Sequence, residues 1–215
     1  MTTIKDKGLL MFSTLVCLLP IAIYLMVFDL LPEQMIQHWG AGGTPTWTMP
    51  REFAVWALPL FLAIIHIIVY IALNITSAKK STPPAMQALL VWIVPVISVF
   101  TNILVLFANI NENFAIDVFI FVFIGLLFII IGNYLPKTRQ NYFIGFRVPW
   151  TLRCADNWTR THRLGGKTLI AAGVIFIVGA VTSTSETALL FTVISALTLS
   201  VIIPSIYSYV IYKRG

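Results

Sequence analysis

Long apolar runs alternate with short polar segments along the whole chain. Six runs occupy residues 8–28, 53–73, 86–108, 115–135, 168–184 and 187–211. Most approach the roughly 20 residues that a helix needs to cross a bilayer. They are continuously apolar rather than alternating, so each is expected to be a helix with all its backbone groups paired internally. The first run follows Lys5 and Lys7. It exceeds the ~7–15 residues of a signal core, and no small-residue cleavage site follows, so it reads as a retained span. The pattern predicts an all-α fold: a polytopic membrane protein of six transmembrane helices in one integral membrane domain, residues 1–215.

Two interruptions are long enough to carry structure of their own. Residues 136–167 read PKTRQNYFIGFRVPWTLRCADNWTRTHRLGGK and hold seven of the 14 Lys and Arg residues. Gly145 and Pro149 mark the first half as turn-rich. After Pro149, the residues Trp150, Cys154, Trp158, Thr161 and Leu164 recur at helical spacing, with Arg153, Asp156, Arg160 and Arg163 on the opposite face. A short amphipathic interfacial helix is therefore expected between the fourth and fifth spans, capped by Thr151 and stopped by Gly165 and Gly166. Asp156 and Arg160 stand at i,i+4 in the favourable order. The helix reads equally as an interfacial link or as a docking surface. The other interruption, residues 29–52, is rich in Gly and Pro and contains His38, Trp39 and Trp47. It reads as an ordered, turn-rich loop whose aromatics either anchor it in the interface or contact an amphipathic ligand.

Composition agrees with a membrane protein. The chain is 59% hydrophobic, its mean hydropathy is +0.92, and 10% of its residues are charged, against about 25% in soluble domains. Placing the N-terminus inside puts every Lys and Arg except Arg51 on the cytoplasmic side, in residues 1–7, 74–85, 136–167 and the C-terminus. This obeys the positive-inside rule, and anionic lipid head groups account for the net charge of +6. The basic balance thus gives no support to direct nucleic-acid binding. Both termini are expected in the cytoplasm of a cell whose plasma membrane holds the chain. Cys17 and Cys154 are expected to stay apart, and no cluster has metal-ligand spacing.

Few polar groups enter the spans. Pro20, Pro59, Pro95 and Pro204 are tolerated kinks. Gly179 and Ser183 form a small-xxx-small pair for helix packing. His66 and Asn102 lie deep in the second and third spans and are intramembrane candidates, although His66 has no acidic partner at matched depth. No HExxH, GxSxG or paired intramembrane carboxylate occurs. His162 and Asp156 are six apart and do not share a helical face. No enzyme and no cofactor are expected.

Two stretches carry a resemblance. NYFIGFRVPWTL with NWTRTHRLGG resembles the cytoplasmic signature of the SdpI family, bacterial immunity proteins against a secreted, membrane-active toxin peptide. The match rests on Asn141, Tyr142, Phe143, Gly145, Arg147, Pro149, Trp150, Thr151, Leu152, Trp158, Thr161, His162 and Gly165. LPEQMIQHWGAGGTP resembles the outer loop of an uncharacterised domain that often forms the first half of such proteins, through Leu31, Pro32, His38, Trp39, Gly43 and Pro45. Gly40 stands where that domain usually has Asn, and Thr46 where it often has an acid. The resemblance implies six spans, no catalysis, toxin immunity, and a receptor that holds a small DNA-binding repressor at the membrane.

Function follows as two expectations. The first is an immunity and signalling receptor, with membrane lipids around it, a toxin peptide outside and a repressor inside. Its partner-docking residues would be Asn141, Tyr142, Phe143, Gly145, Arg147, Pro149, Trp150, Thr151, Trp158, Thr161 and His162. Its ligand contacts would be His38, Trp39, Gly43, Pro45 and Trp47. The alternative is a small transporter or channel using His66 and Asn102.

Overall fold

The computed structural model describes residues 4–40, 44–74, 82–111, 114–141, 144–183 and 185–214. Its elements are helix α1 (Ile4–Met26), strands β1 (Gln34–Trp39) and β2 (Pro45–Pro50), and helices α2 (Arg51–Asn74), α3 (Pro84–Ile110) and α4 (Ile116–Tyr134). Then come α5 (Pro149–Arg153), α6 (Ala155–Thr182), α7 (Glu186–Leu197) and α8 (Ile203–Arg214). Six helical segments among the described residues are long and apolar enough to cross a membrane: α1 to α4, α6, and α7 continued into α8. The protein is a multi-pass membrane protein.

The chain forms two compact units, one of residues 1–75 and 87–116, the other of residues 76–86 and 117–215. In the first unit, α1, α2 and α3 meet around Cys17, Ala63 and Val94. A second cluster of Tyr24, Leu31, Met35, Ala54, Val55, Val105 and Leu106 joins the helix ends to β1. Buried hydroxyls bond the helices where lipid offers no partner: Ser98 Oγ donates to the Cys17 carbonyl at 2.8 Å and Tyr24 Oη to the Asn102 carbonyl at 2.9 Å.

The expected outer loop contains a β-hairpin, which the all-helical reading missed. Strands β1 and β2 pair antiparallel with a register shift near His38. Asn109 of α3 acts as a surrogate neighbour for β1. Its Oδ1 accepts from the Ile36 N–H at 2.7 Å, and its Nδ2 donates to the Ile36 carbonyl at 3.0 Å. These two bonds occupy backbone groups that an edge strand would otherwise leave open. Arg51 closes the hairpin's base, donating from its guanidinium to the Leu31 carbonyl at 3.0 Å and lying over the Phe28 ring at 4.7 Å.

In the second unit, α4 and α6 run antiparallel with their backbones close together. A Cβ on Gly173 would stand 2.5 Å from the Gly125 carbonyl oxygen, and one on Gly125 2.6 Å from that of Gly173. One heptad along, Gly132 and Gly166 repeat this, at 2.8 and 2.7 Å. No side chain larger than hydrogen fits at these contacts. At Gly179 the space a Cβ would take is filled by the side chain of Thr192 of α7.

That packing corrects the reading of Gly165 and Gly166 as a helix stop. Helix α6 runs through both, because each faces a neighbour: Phe146 lies against Gly165, and Pro136 and Gly132 against Gly166. The expected interfacial helix is accordingly not a separate amphipathic element. Only Pro149–Arg153 forms a short helix, the chain breaks at Cys154 with an extended backbone, and residues 155–164 are the first turns of the fifth span. The last span contains a π-turn at Thr198–Ile202. Pro204, which lacks an N–H, stands two residues after it, and a widened turn accommodates its ring.

The glycine contacts yield a test. Gly173→Leu forces side-chain carbons into the α4 backbone, which costs about 1–3 kcal/mol or more. The variant is expected to show a lowered thermal midpoint by circular dichroism in detergent. A midpoint equal to that of the parent would contradict the close approach.

Candidate functional site

The polar segment after α4 folds onto α6 and α8 through a buried network of hydrogen bonds. Its centre is Asn157, buried on the face of α6 opposite the cations. Asn157 Nδ2 donates to the Ser208 carbonyl at 2.9 Å, and Asn157 Oδ1 accepts from Ser208 Oγ at 3.0 Å and from Thr161 Oγ1 at 2.9 Å. Ser208 Oγ also accepts from Trp150 Nε1 at 2.7 Å. One residue of the last span thus binds both α5 and α6. Around it, Trp150 packs edge-on to Tyr209 at 5.3 Å and stacks near Tyr212 at 5.8 Å.

A second cluster holds the turn before α5. Trp158 Nε1 donates to the Thr138 carbonyl at 3.0 Å, and its ring stacks on His162 at a centroid distance of 3.9 Å. The Phe146 N–H donates to His162 Nε2 at 3.1 Å. That nitrogen is therefore unprotonated, and the ring proton sits on Nδ1, which donates to the Trp158 carbonyl at 2.8 Å. Both nitrogens of His162 are taken by backbone, so it is placed as a clamp rather than as a base. Gly145 lies under its ring with φ of +102°, where a Cβ would collide with the imidazole. Only glycine meets both conditions.

Thr151 is not the N-cap expected of it: Val148 holds that position, and Thr151 is the third residue of α5, reaching back to it. It is fully buried, its hydroxyl donates to the Phe146 carbonyl at 2.7 Å and accepts from the Val148 N–H at 3.1 Å, and its carbonyl accepts from Gln140 Nε2 at 2.8 Å. Asn141 Oδ1 accepts from the Ile144 N–H at 2.8 Å, and its Nδ2 donates to the Arg139 carbonyl at 2.7 Å. Pro149 supplies the first residue of α5. Tyr142 and Phe143 lie outside the described residues.

The cations are arranged differently. Lys137, Arg139, Arg147, Arg153, Arg160, Arg163 and Lys167 are all exposed. The i,i+4 pair forms as expected, with Arg160 Nε 2.9 Å from Asp156 Oδ2. Trp150 and Trp158 do not share a face, because the break at Cys154 separates their helices. Cys154 itself is exposed and Cys17 buried.

The outer candidates divide. His38 and Pro45 are exposed, as is Trp47 at 54%, whereas Trp39 packs into the cluster beneath the hairpin. His38 Nδ1 lies 2.6 Å from Thr46 Oγ1. Gly43 lies outside the described residues. Inside the first unit, His66 Nε2 pairs with Ser13 Oγ at 2.8 Å, while His66 Nδ1 and Asn102 Oδ1 have no hydrogen-bond partner among the described residues. His66 and Asn102 are therefore anchored by one atom each, since Asn102 Nδ2 donates to the Ser98 carbonyl at 2.8 Å.

Sequence reasoning passed over Asn157, Ser208, Asn109 and Ser13. For Asn157 a signal existed: it shares its helical face with Thr161, one turn on. A lone Ser in an apolar span or an Asn near a span end carries no such mark.

Residues 137–208 match the SdpI/YfhL protein family, and residues 15–63 match DUF1648, a domain of unknown function. The first range covers the clustered motif through Ser208, and the second covers about half of α1, the hairpin and about half of α2. The chain is 25% identical over 190 residues to the immunity protein SdpI of Bacillus subtilis (strain 168), across 88% of this chain and 89% of that protein. No solved structure matches.

The network makes a prediction. Ser208→Ala leaves Trp150 Nε1 without its partner and removes one donor to Asn157, at about 1–3 kcal/mol for unmet buried groups. The expected result is a lower unfolding midpoint in detergent, together with a red shift of tryptophan emission as Trp150 becomes wet. An unchanged midpoint and spectrum would remove Ser208 from the tie.

Proposed function

We propose, from the premise that this is an SdpI-family membrane protein with a DUF1648 first half, that it is an immunity protein. It protects the cell whose plasma membrane holds it from a secreted, membrane-active peptide. The observation that carries this reading is the similarity to an immunity protein across nearly the full length of both chains. The geometry supports a receptor form of it. The hairpin presents His38, Pro45 and Trp47 to an amphipathic ligand, and the clustered loop presents Arg147 and its neighbouring cations to a cytosolic partner, a small DNA-binding repressor. Ligand binding would act by favouring one arrangement of the helices over another. The charge distribution supports cytoplasmic termini and a cytoplasmic 136–167 loop.

A transporter or channel is the second reading. One observation favours it: the orphan atoms His66 Nδ1 and Asn102 Oδ1, buried within the first unit. Against it, the same two side chains are tied to Ser13 and to the Ser98 carbonyl.

Two experiments test these statements. A toxin-sensitive bacterium expressing the chain is challenged with the toxin peptide. The parent and His66→Gln are expected to protect, and Trp47→Ala, which disturbs no core contact, is expected to protect at least tenfold less at equal membrane levels. Failure of the parent refutes immunity against that peptide. Full protection by Trp47→Ala makes the hairpin aromatic an interface anchor. Loss with His66→Gln favours transport. For orientation, a charged maleimide is expected to label Cys154 only after cells are opened. Labelling in intact cells would invert the topology.

A further inference from the structure

Two cations on α6 stand where a charge needs a counter-charge. Helix α6 has 28 residues, about 42 Å at 1.5 Å per residue, and its apolar part begins at Thr168. Measured back from the helix end at Thr182, a full hydrocarbon thickness of about 30 Å ends near residue 163. If the bilayer instead thins to fit the apolar part alone, it ends near residue 168. The hydrocarbon edge therefore falls between these limits, and Arg163 and Lys167 bracket it. They are one helical turn apart and both exposed. No acidic group lies within ion-pair distance of either among the described residues, whereas Arg160, one turn further into water, is paired with Asp156. The turn Leu135–Lys137 lies against the same level of α6, with Pro136 beside Gly166, and brings Lys137, whose ammonium sits 4.8 Å from the Tyr134 ring centroid. The three cations make the local potential positive, and no acidic side chain among the described residues pairs with Arg163 or Lys167.

An unpaired charge at the edge of hydrocarbon is costly, and a long side chain relieves the cost by reaching to the head-group layer. We propose that Arg163 and Lys167 form a binding site for the phosphate of one anionic glycerophospholipid, which supplies the counter-charge the fold lacks. A zwitterionic lipid suits it less, because its own cationic group competes for the phosphate. Arg160 takes no part. The site requires neither the immunity nor the signalling role.

The full chain in detergent is offered equal amounts of phosphatidylglycerol and phosphatidylcholine, and retained lipids are counted by native mass spectrometry. Each cation near a membrane surface contributes about a fivefold preference. The parent is expected to prefer phosphatidylglycerol by roughly 25-fold at most, with two cations engaged. Arg163→Gln with Lys167→Gln should abolish the preference, while Arg160→Gln keeps it, and circular dichroism checks that all three remain folded. A parent with no preference overturns the site, as does a double variant that keeps the parent's preference, or a loss with Arg160→Gln as large as with the pair. Capture of an acidic polypeptide by the parent without any lipid preference also overturns it, and makes the stripe a protein-docking face.

Discussion

The paired amides and hydroxyls of Asn157 and Ser208 hold the polar half of the second unit together. The segment carries seven cations, and its fully buried side chains are mostly polar: Thr151, Asn157, Thr161 and His162, with Trp158. Its order comes from hydrogen bonds made where water is excluded, and these gain strength from the low local dielectric. Ser208 gives that segment a fixed point on the last span, and Trp150 and Asn157 reach it from two different helices. The His162 clamp and the Gly145 turn can then be fixed against α6, because α6 is itself seated.

This arrangement separates two jobs that the motif combines in sequence. Its Asn, Thr, Trp, His and Gly residues face inward and build a platform. Its Arg and Lys residues are exposed at the surface. The separation follows from desolvation: a buried amide is satisfied by two or three neighbours, whereas a buried guanidinium would need a buried anion. The segment contains one acid, Asp156, and it is exposed.

In the first unit the same rule acts on the backbone. A two-stranded hairpin alone is marginal in water. Met35 inserted among the helix ends, the Asn109 amide along β1, and the Arg51 guanidinium at the base supply what a third strand would. Trp39 belongs to that support, which leaves Trp47 and His38 as the aromatic surface facing outward.

The sequence by itself determined the six spans, the approximate limits of five of them, the membrane class and the location of the motif, whereas the fifth helix begins at Ala155, ahead of its apolar run. Apolar length and charge placement act locally along the chain and need no knowledge of neighbours. It also carried the family resemblance and the Asp156–Arg160 pair. Tertiary structure decided the rest. Gly165 and Gly166 stop a helix in isolation, but here they continue one, because the backbone of α4 and the Phe146 ring occupy the space a side chain would need. The hairpin was hidden because its support comes from Asn109, about seventy residues along the chain from Ile36. The partners of Trp150, Asn157 and His66 were hidden for the same reason: a hydrogen bond between distant segments leaves no period in either of them.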